Sequence, residues 1–313
     1  MRAGFRVTPI NWHLTGDNAS YIVGNCEAKA FIADIRCAQP AIDALQDNRA
    51  QLKLALSVGG DLPGFQAYNE LVDRAATGNI DEPEIGGQML YTSGTTGRPK
   101  GVYRQRSAAA LPGGAVSEGE NASQASRAAA ETTAISMAAA AYDAETDRAL
   151  CTGPAYHAAP LAFNIIAPLA AGVGTVLMDK WDPEETLRLV EEYDITHTHM
   201  VATMFHRLLA LPAATRDKYQ VDKLRFVLHG AAPCPVHVKQ SMMAWLGPVV
   251  YEYYAATEGG GGFFIGPQEW LTKPGSVGKA PPSADNKICD DDGKEVATGT
   301  VGTIYFRAPE IRF

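Results

Sequence analysis

The chain has 313 residues, 46% hydrophobic and 20% charged, which describes a folded globular protein and excludes a disordered or fibrous one. That length has room for one large α/β unit or two subdomains. The formal net charge of -8 excludes the broad basic stripe of a nucleic-acid binder, so no nucleic-acid partner is expected and any anionic ligand must be held locally.

Residues 1–20 mix polar, aromatic and apolar types and carry no charged-then-apolar leader. Further on, a short apolar strand at Met89-Leu90 runs into a segment rich in glycine and hydroxyls, Tyr91–Gly101, beside the basic cluster Arg98, Lys100, Arg104 and Arg106. Residues 112–130 are rich in Gly, Ser and Ala and predict a flexible loop leading into a helix near Ile135 and Met137. Ala158–Met178 is uncharged over a length that spans a bilayer. Pro160 and Pro168 interrupt helical bonding there, and Gly172-Val173-Gly174 turns the chain into a strand at Thr175–Met178. A buried helix followed by a buried strand is therefore expected, with no transmembrane segment.

Asp182 caps the clearest helix, with Pro183 in the first position and Glu185 at the capping-box spacing. Leu187, Val190 and Tyr193 supply its apolar face, and its end is expected near Asp194. Next come a β-branched segment at Ile195–Val201, a helix at Met204–Leu211, and a strand at Leu224–Leu228 that closes on Gly230-Ala231-Ala232-Pro233. Pro235 starts a further helix, and Val249–Tyr254 reads as a strand. This alternation predicts an α/β fold with mostly parallel, buried strands flanked by helices. Ligand loops in such sheets lie at the C-terminal ends of strands. The five cysteines, Cys26, Cys37, Cys151, Cys234 and Cys289, are widely spaced without a C-x-x-C pair, which suggests neither a disulfide framework nor a zinc cluster and fits a reducing cytoplasm.

Tyr91–Gly101 packs four Ser and Thr hydroxyls, three glycines and a lysine into one short run. Glycines let the backbone approach oxygens closely, N–H groups and hydroxyls donate hydrogen bonds, and a lysine adds a point charge, which together is phosphate-binding chemistry. A Walker loop needs Gly before the Lys and Ser or Thr after it, whereas Pro99 precedes Lys100 and Gly101 follows. A P-loop phosphotransferase is disfavoured for that reason.

Tyr91–Gly101 resembles the signature loop of the adenylate-forming superfamily, which includes acyl-CoA synthetases, luciferases and nonribosomal adenylation domains. Three more segments follow in the family's order. Gly230-Ala231-Ala232-Pro233 resembles its adenine-side loop, Tyr254-Ala255-Ala256-Thr257-Glu258 its Tyr-Gly-x-Thr-Glu motif, and Gly275-Ser276-Val277-Gly278 its next turn. The resemblance implies that Thr92, Ser93, Gly94, Thr95, Thr96, Gly97 and Lys100 cradle the phosphates of ATP and that Gly230, Ala231, Ala232 and Pro233 border the adenine. It further implies that Tyr254 stacks on the base, Thr257 touches the α-phosphate and Glu258 ligates Mg²⁺. These residue types suit the tasks: an aromatic face stacks, a hydroxyl donates to a phosphoryl oxygen and a carboxylate is a hard ligand. Ala255 stands where the family usually has glycine, which questions the backbone conformation there.

Pro154-Ala155-Tyr156-His157 resembles a family segment at the mouth of the acyl pocket, where His157 would gate or orient the carboxylate. His199–Met204 would line the pocket wall. His197, His199 and His206 invite a metal reading, but no further ligand stands at a recognised spacing. The glycines Gly259–Gly262 leave volume for an acyl chain or make a mobile loop. The implied reaction joins a carboxylic acid, expected to be fatty, to ATP and then to coenzyme A. Residues 1–313 are read as a partial AMP-binding domain, truncated at both ends. By the resemblance, the Thr-Gly-Asp motif and the small C-terminal domain with its lysine are missing from residues 1–313, and a separate C-terminal domain is one way to supply them. The competing reading is a non-catalytic nucleotide-binding remnant of the same fold.

Overall fold

The computed structural model describes residues 3–81, 83–84, 86–92, 97–104, 142–256, 261–280 and 285–307. The expected loop at 112–130 and helix near Ile135 and Met137 lie outside these residues, as do Ser93, Gly94, Thr95, Thr96, Arg106, Thr257, Glu258, Gly259 and Gly260. The chain divides into two bodies, residues 1–106 and 107–313.

In the first body, strands β1 (Arg6–Val7), β2 (Ala30–Asp34), β3 (Leu54–Val58), β4 (Gln66–Ala67), β5 (Gly87–Thr92) and β6 (Lys100–Arg104) form two small sheets, ordered β2-β3-β4 and β1-β5-β6. The β2-β3-β4 sheet is parallel, in register from Ala30 opposite Leu54 to Asp34 opposite Val58. Helices Gly16–Asn25 and Ala38–Asp47 pack together through Ala19, Val23 and Ala44, small residues that bring the two backbones close. Ser20 Oγ donates to Asp47 at 2.6 Å, and Asn48 Nδ2 donates to the Ser20 carbonyl at 3.0 Å, which satisfies polar groups at that seam. β5 and β6 pair antiparallel from Gln88 opposite Arg104 to Thr92 opposite Lys100. The glycine- and hydroxyl-rich segment is thus the connection of a β-hairpin.

The second body is built on a six-stranded sheet. Its strands are β7 (Arg148–Cys151), β8 (Gly174–Leu177), β9 (His197–Met200), β10 (Phe226–His229), β11 (Val250–Ala255) and β12 (Gly261–Ile265), in the order β12-β11-β10-β9-β7-β8. All neighbours are parallel except β11 and β12. Period-two alternation divides the sheet into two faces. Val227, Val250 and Ile265 join Met200, Phe205, Leu208 and Met242 in the main core, under helices Pro183–Glu192, Ala202–Leu209 and Val236–Leu246. The opposite face carries His199, Leu228, Tyr251, Tyr253 and Phe264, gathered around Phe163. Strands β13 (Asp285–Cys289) and β14 (Thr303–Arg307) form a separate antiparallel ribbon.

The uncharged segment 158–178 contains a wide π-helical turn at Pro160–Ile166, a single α-turn at Ala167–Ala170 and then β8. Gly172, at φ +77°, supplies the left-handed bend between them. Among the described residues no helix is long and apolar enough to cross a membrane.

Asp182 caps the helix Pro183–Glu192 as its sequence predicts, its carboxylate accepting from the Glu185 amide at 3.0 Å. Glu185 does not complete the box; its side chain bonds to Arg188 at 2.6 Å instead. The helix ends at Glu192, so Tyr193 falls at the cap and is exposed, while Thr186, Leu187, Leu189 and Val190 form the buried face. Asp182→Ala is expected to lower unfolding free energy by about 1 kcal/mol, read from urea melts followed by circular dichroism. An unchanged midpoint would remove the cap from the list of stabilising contacts.

Candidate functional site

Because β7, β9, β10 and β11 are parallel, the segments that follow them all leave from one edge of the sheet. These are Thr152–His157, Val201-Ala202, Gly230–Pro235 and the connection after Ala255. The chain passes from β7 outward to β8 and then returns to β9 on the other side of β7. The strand order therefore reverses between β7 and β9, where a crevice opens in sheets of this kind. Thr152 bridges that point by donating from Oγ1 to the carbonyl of His199. His157 follows in a turn closed by its own amide to the Pro154 carbonyl at 3.0 Å, and its ring lies 4.8 Å from that of Tyr156. His157 is exposed, yet the surrounding protein desolvates the ring and pushes its pKa below the ordinary imidazole value.

His199 is buried on β9 and its Nε2 lies 3.2 Å from the Tyr253 hydroxyl. Burial, with a smaller contribution from His229, pushes its pKa down to about 3. Phe163 stacks on His199 at 5.9 Å and meets the tilted ring of Tyr253 at 5.3 Å. The expected pocket-wall residue is thus part of a packed aromatic floor. Among the described residues no group of three or more His, Cys, Asp or Glu side chains is placed to hold a metal.

The Gly230–Pro233 loop leaves β10 under tight steric limits. A Cβ on Gly230 would sit 2.4 Å from the Tyr253 ring. Ala231 next to it holds φ +68°, a left-handed conformation uncommon for a residue with a side chain. Tyr254 is 46% exposed at the end of β11, edge-on to Phe263 at 5.8 Å, and its position in the alternation places it on the face of Glu252. The ladder shifts register between Tyr254 and Ala255. Ala255 itself keeps a negative φ, so the replacement of the usual glycine strains nothing. Gly261 and Gly262 belong to β12 rather than to a free loop. Gly278, at φ +89°, passes so close to the Phe264 carbonyl that a Cβ would overlap it, which accounts for the glycine in that turn.

The hairpin of the first body is described only on its flanks. Thr92 ends β5 and Lys100, exposed, starts β6; Gly97 between them adopts φ +113° in open space. Tyr91 donates to Asn25 Oδ1 at 2.5 Å and Arg98 lies 4.9 Å over the ring of Tyr21, so helix Gly16–Asn25 anchors both sides of the connection. Ser93, Gly94, Thr95 and Thr96 lie outside the described residues, as do Thr257 and Glu258.

Sequence reasoning did not find the buried polar group on the other face. Lys239 and Glu252 form an ion pair at 2.8 Å, with His229 Nε2 3.3 Å from the same carboxylate oxygen. Burial opposes the charge on Glu252, but its contacts with His229 and Lys239 more than offset this and hold its pKa below the usual carboxylate range. Two signals pointed there: Glu252 falls on the inward phase of β11, and Lys239 sits among Val238, Met242 and Met243 on the buried side of its helix. Two open depressions of about 460 and 390 Å³ surround Arg216 and Trp245. They lie toward the far end of helix Val236–Leu246, away from the loops that follow the parallel strands.

The sequence matches the family described as AMP-binding enzyme over residues 1–311. It is 28% identical over 316 residues to indoleacetate–CoA ligase of Aromatoleum aromaticum, covering 99% of this chain and 57% of that protein. It is 27% identical to the long-chain-fatty-acid–CoA ligase FadD13 of Mycobacterium tuberculosis, covering 93% and 53%. The fold matches the amide bond synthetase McbA of Marinactinospora thermotolerans with a TM-score of 0.71 at 21% identity, over 98% of this chain and 56% of that one. The chain spans little more than half the length of these relatives.

Two outcomes follow from the geometry. The folded pKa of His199 lies far below the unfolded value near 6.5, so the unfolded chain takes up the proton first as pH falls. Stability should be complete above about pH 6.5 and decline toward pH 3, by up to about 1.4 kcal/mol per unit for this histidine. His199→Gln should flatten that slope in urea melts between about pH 6.5 and 4.5, and an equal slope would contradict it. Second, Gly230→Ala should destabilise by about 1–3 kcal/mol through overpacking against Tyr253. In a Tyr253→Leu background the loss should shrink by about 1 kcal/mol, measured as a double-mutant cycle.

Proposed function

We propose that this chain, which belongs to the AMP-binding enzyme family, supplies the ATP-binding and acid-binding part of an acid–CoA ligase. The observation that supports this reading is that the segments bearing His157, Gly230–Pro233 and Tyr254 lie at the C-terminal ends of parallel strands, on one edge of the sheet of the second body. Tyr254, exposed at the strand end, offers a ring face to adenine, and Gly230–Pro233 borders the base. Thr92, Ser93, Gly94, Thr95, Thr96, Gly97 and Lys100 hold the phosphates, and Thr257 donates to the α-phosphate. Glu258, with an anionic hard oxygen, is the residue that would hold Mg²⁺, which supplies charge neutralisation to the phosphates when bound.

In the first step a carboxylate oxygen forms a bond to the α-phosphorus while the bond to pyrophosphate breaks. In the second the coenzyme A thiolate attacks the acyl carbon and AMP leaves. The contribution of this chain is alignment and charge: His157 orients the carboxylate and Lys100 faces the charge that builds on the leaving pyrophosphate. The acid is one with an apolar body, since Phe163, Leu228, Tyr251 and Phe264 dominate the sheet face beside His199. A fatty acid fits that description, and so does an aryl acid; the names of the two relatives include both kinds. A cytoplasmic setting is part of the same proposal, supported by five free cysteines.

Calorimetric titration of the purified chain with ATP, with and without magnesium, tests the assignment. Glu258→Gln should weaken magnesium-dependent binding by about tenfold or more while changing magnesium-free binding little. Equal losses under both conditions would remove Glu258 from the metal site. Acid-dependent release of pyrophosphate separates a ligase from a remnant that binds nucleotide and turns nothing over.

A further inference from the structure

The reaction as derived does not use the buried Lys239–Glu252–His229 group, and its placement is specific. His229 is the last residue of β10 and immediately precedes Gly230. Lys239 lies in the first turns of the helix that Pro235 starts, on the other side of the same loop. Glu252 stands directly across the ladder from His229 and two residues before Tyr254, on the same strand face. One carboxylate oxygen on the strand that carries Tyr254 therefore lies 3.3 Å from the residue entering the Gly230–Pro235 loop and 2.8 Å from the lysine of the helix leaving it.

The surroundings fix all three groups. Lys239 has no exposed surface and its Nζ lies 4.7 Å over the Trp270 ring; the edge of Phe205 meets His229 at 5.3 Å. A buried ion pair is a poor source of net stability, because desolvating two charges opposes their attraction and apolar residues of similar volume often serve as well or better. What such a pair supplies is direction: its hydrogen bond has a required length and angle, whereas apolar contacts tolerate sliding. The loop it brackets needs such constraint, since Ala231 is held at positive φ and Gly230 is pressed against Tyr253.

We propose that Glu252 is a positioning residue, fastening both ends of the Gly230–Pro235 loop to the strand that carries Tyr254, so that loop and ring are presented together to the nucleotide. The inference deepens the nucleotide reading of this edge and rests on it. The Lys239→Met, Glu252→Met double variant replaces the pair by apolar groups. It is expected to melt within about 5 °C of the parent, since such exchanges are often neutral. It should nonetheless bind ATP about tenfold more weakly, and backbone amides of residues 229–238 should exchange with deuterium about tenfold faster, while those of β7 and β8 stay unchanged. If the double variant does not fold, Glu252→Gln, which keeps the side-chain shape, should show the same two changes to a smaller degree. A folded variant with parental exchange in 229–238 and parental ATP affinity would overturn the proposal. If the parent itself binds no ATP, the nucleotide reading fails, and the exchange data still decide whether Glu252 fastens the loop.

Discussion

Parallel pairing of β7, β9, β10 and β11 is the constraint on which the remainder of the second body depends. Each parallel neighbour requires a return connection across the sheet, and helices Pro183–Glu192, Ala202–Leu209 and Val236–Leu246 lie on those returns. Each of these four strands then begins at the same edge and ends at the other. Residues far apart in sequence, His157, Gly230 and Tyr254, are collected at one edge without any direct bond among them. Thr152 reinforces the arrangement at the reversal of strand order by joining the end of β7 to the end of β9.

The two faces of that sheet do different work. One is an apolar core that encloses a charged pair next to the loop edge, and the other is paved with rings around His199, whose burial pushes its pKa down to about 3. Strand alternation alone separates them: in β11, Val250 and Glu252 face the helices while Tyr251 and Tyr253 face Phe163. Substitutions at adjacent positions of β11 therefore act on opposite faces of the sheet.

Much of this was legible in the sequence because it is local. The cap at Asp182, the bend at Gly172 and the strand before Tyr91–Gly101 follow from residue type within a few positions. Tyr193 was misplaced because a helix end is set by two residues' difference in bonding, which a hydrophobic pattern does not resolve. Lys239 and Glu252 escaped notice for another reason. A lysine in a helix and a glutamate in a strand read as surface charges until the packing of helix Val236–Leu246 against β11 brings them together. The order of the motifs was readable, whereas the strain at Ala231 and the contact of Gly230 with Tyr253 depend on backbone geometry that composition does not encode.

The π-helical turn at Pro160–Ile166 has an evolutionary consequence. A π-turn holds one residue more than the α-turn it replaces, so loss of a single codon within it would restore ordinary winding and leave the flanking chain in place. The residues inside the turn, and not those that flank it, would change the direction in which they point. Phe163, which lies inside the turn and rests on His199 and Tyr253, would be swung off the aromatic floor. Length variation by one residue at this place is thus a route by which descendants of this sequence change the shape of the ring-lined face in one step, with every strand of the sheet left as it was.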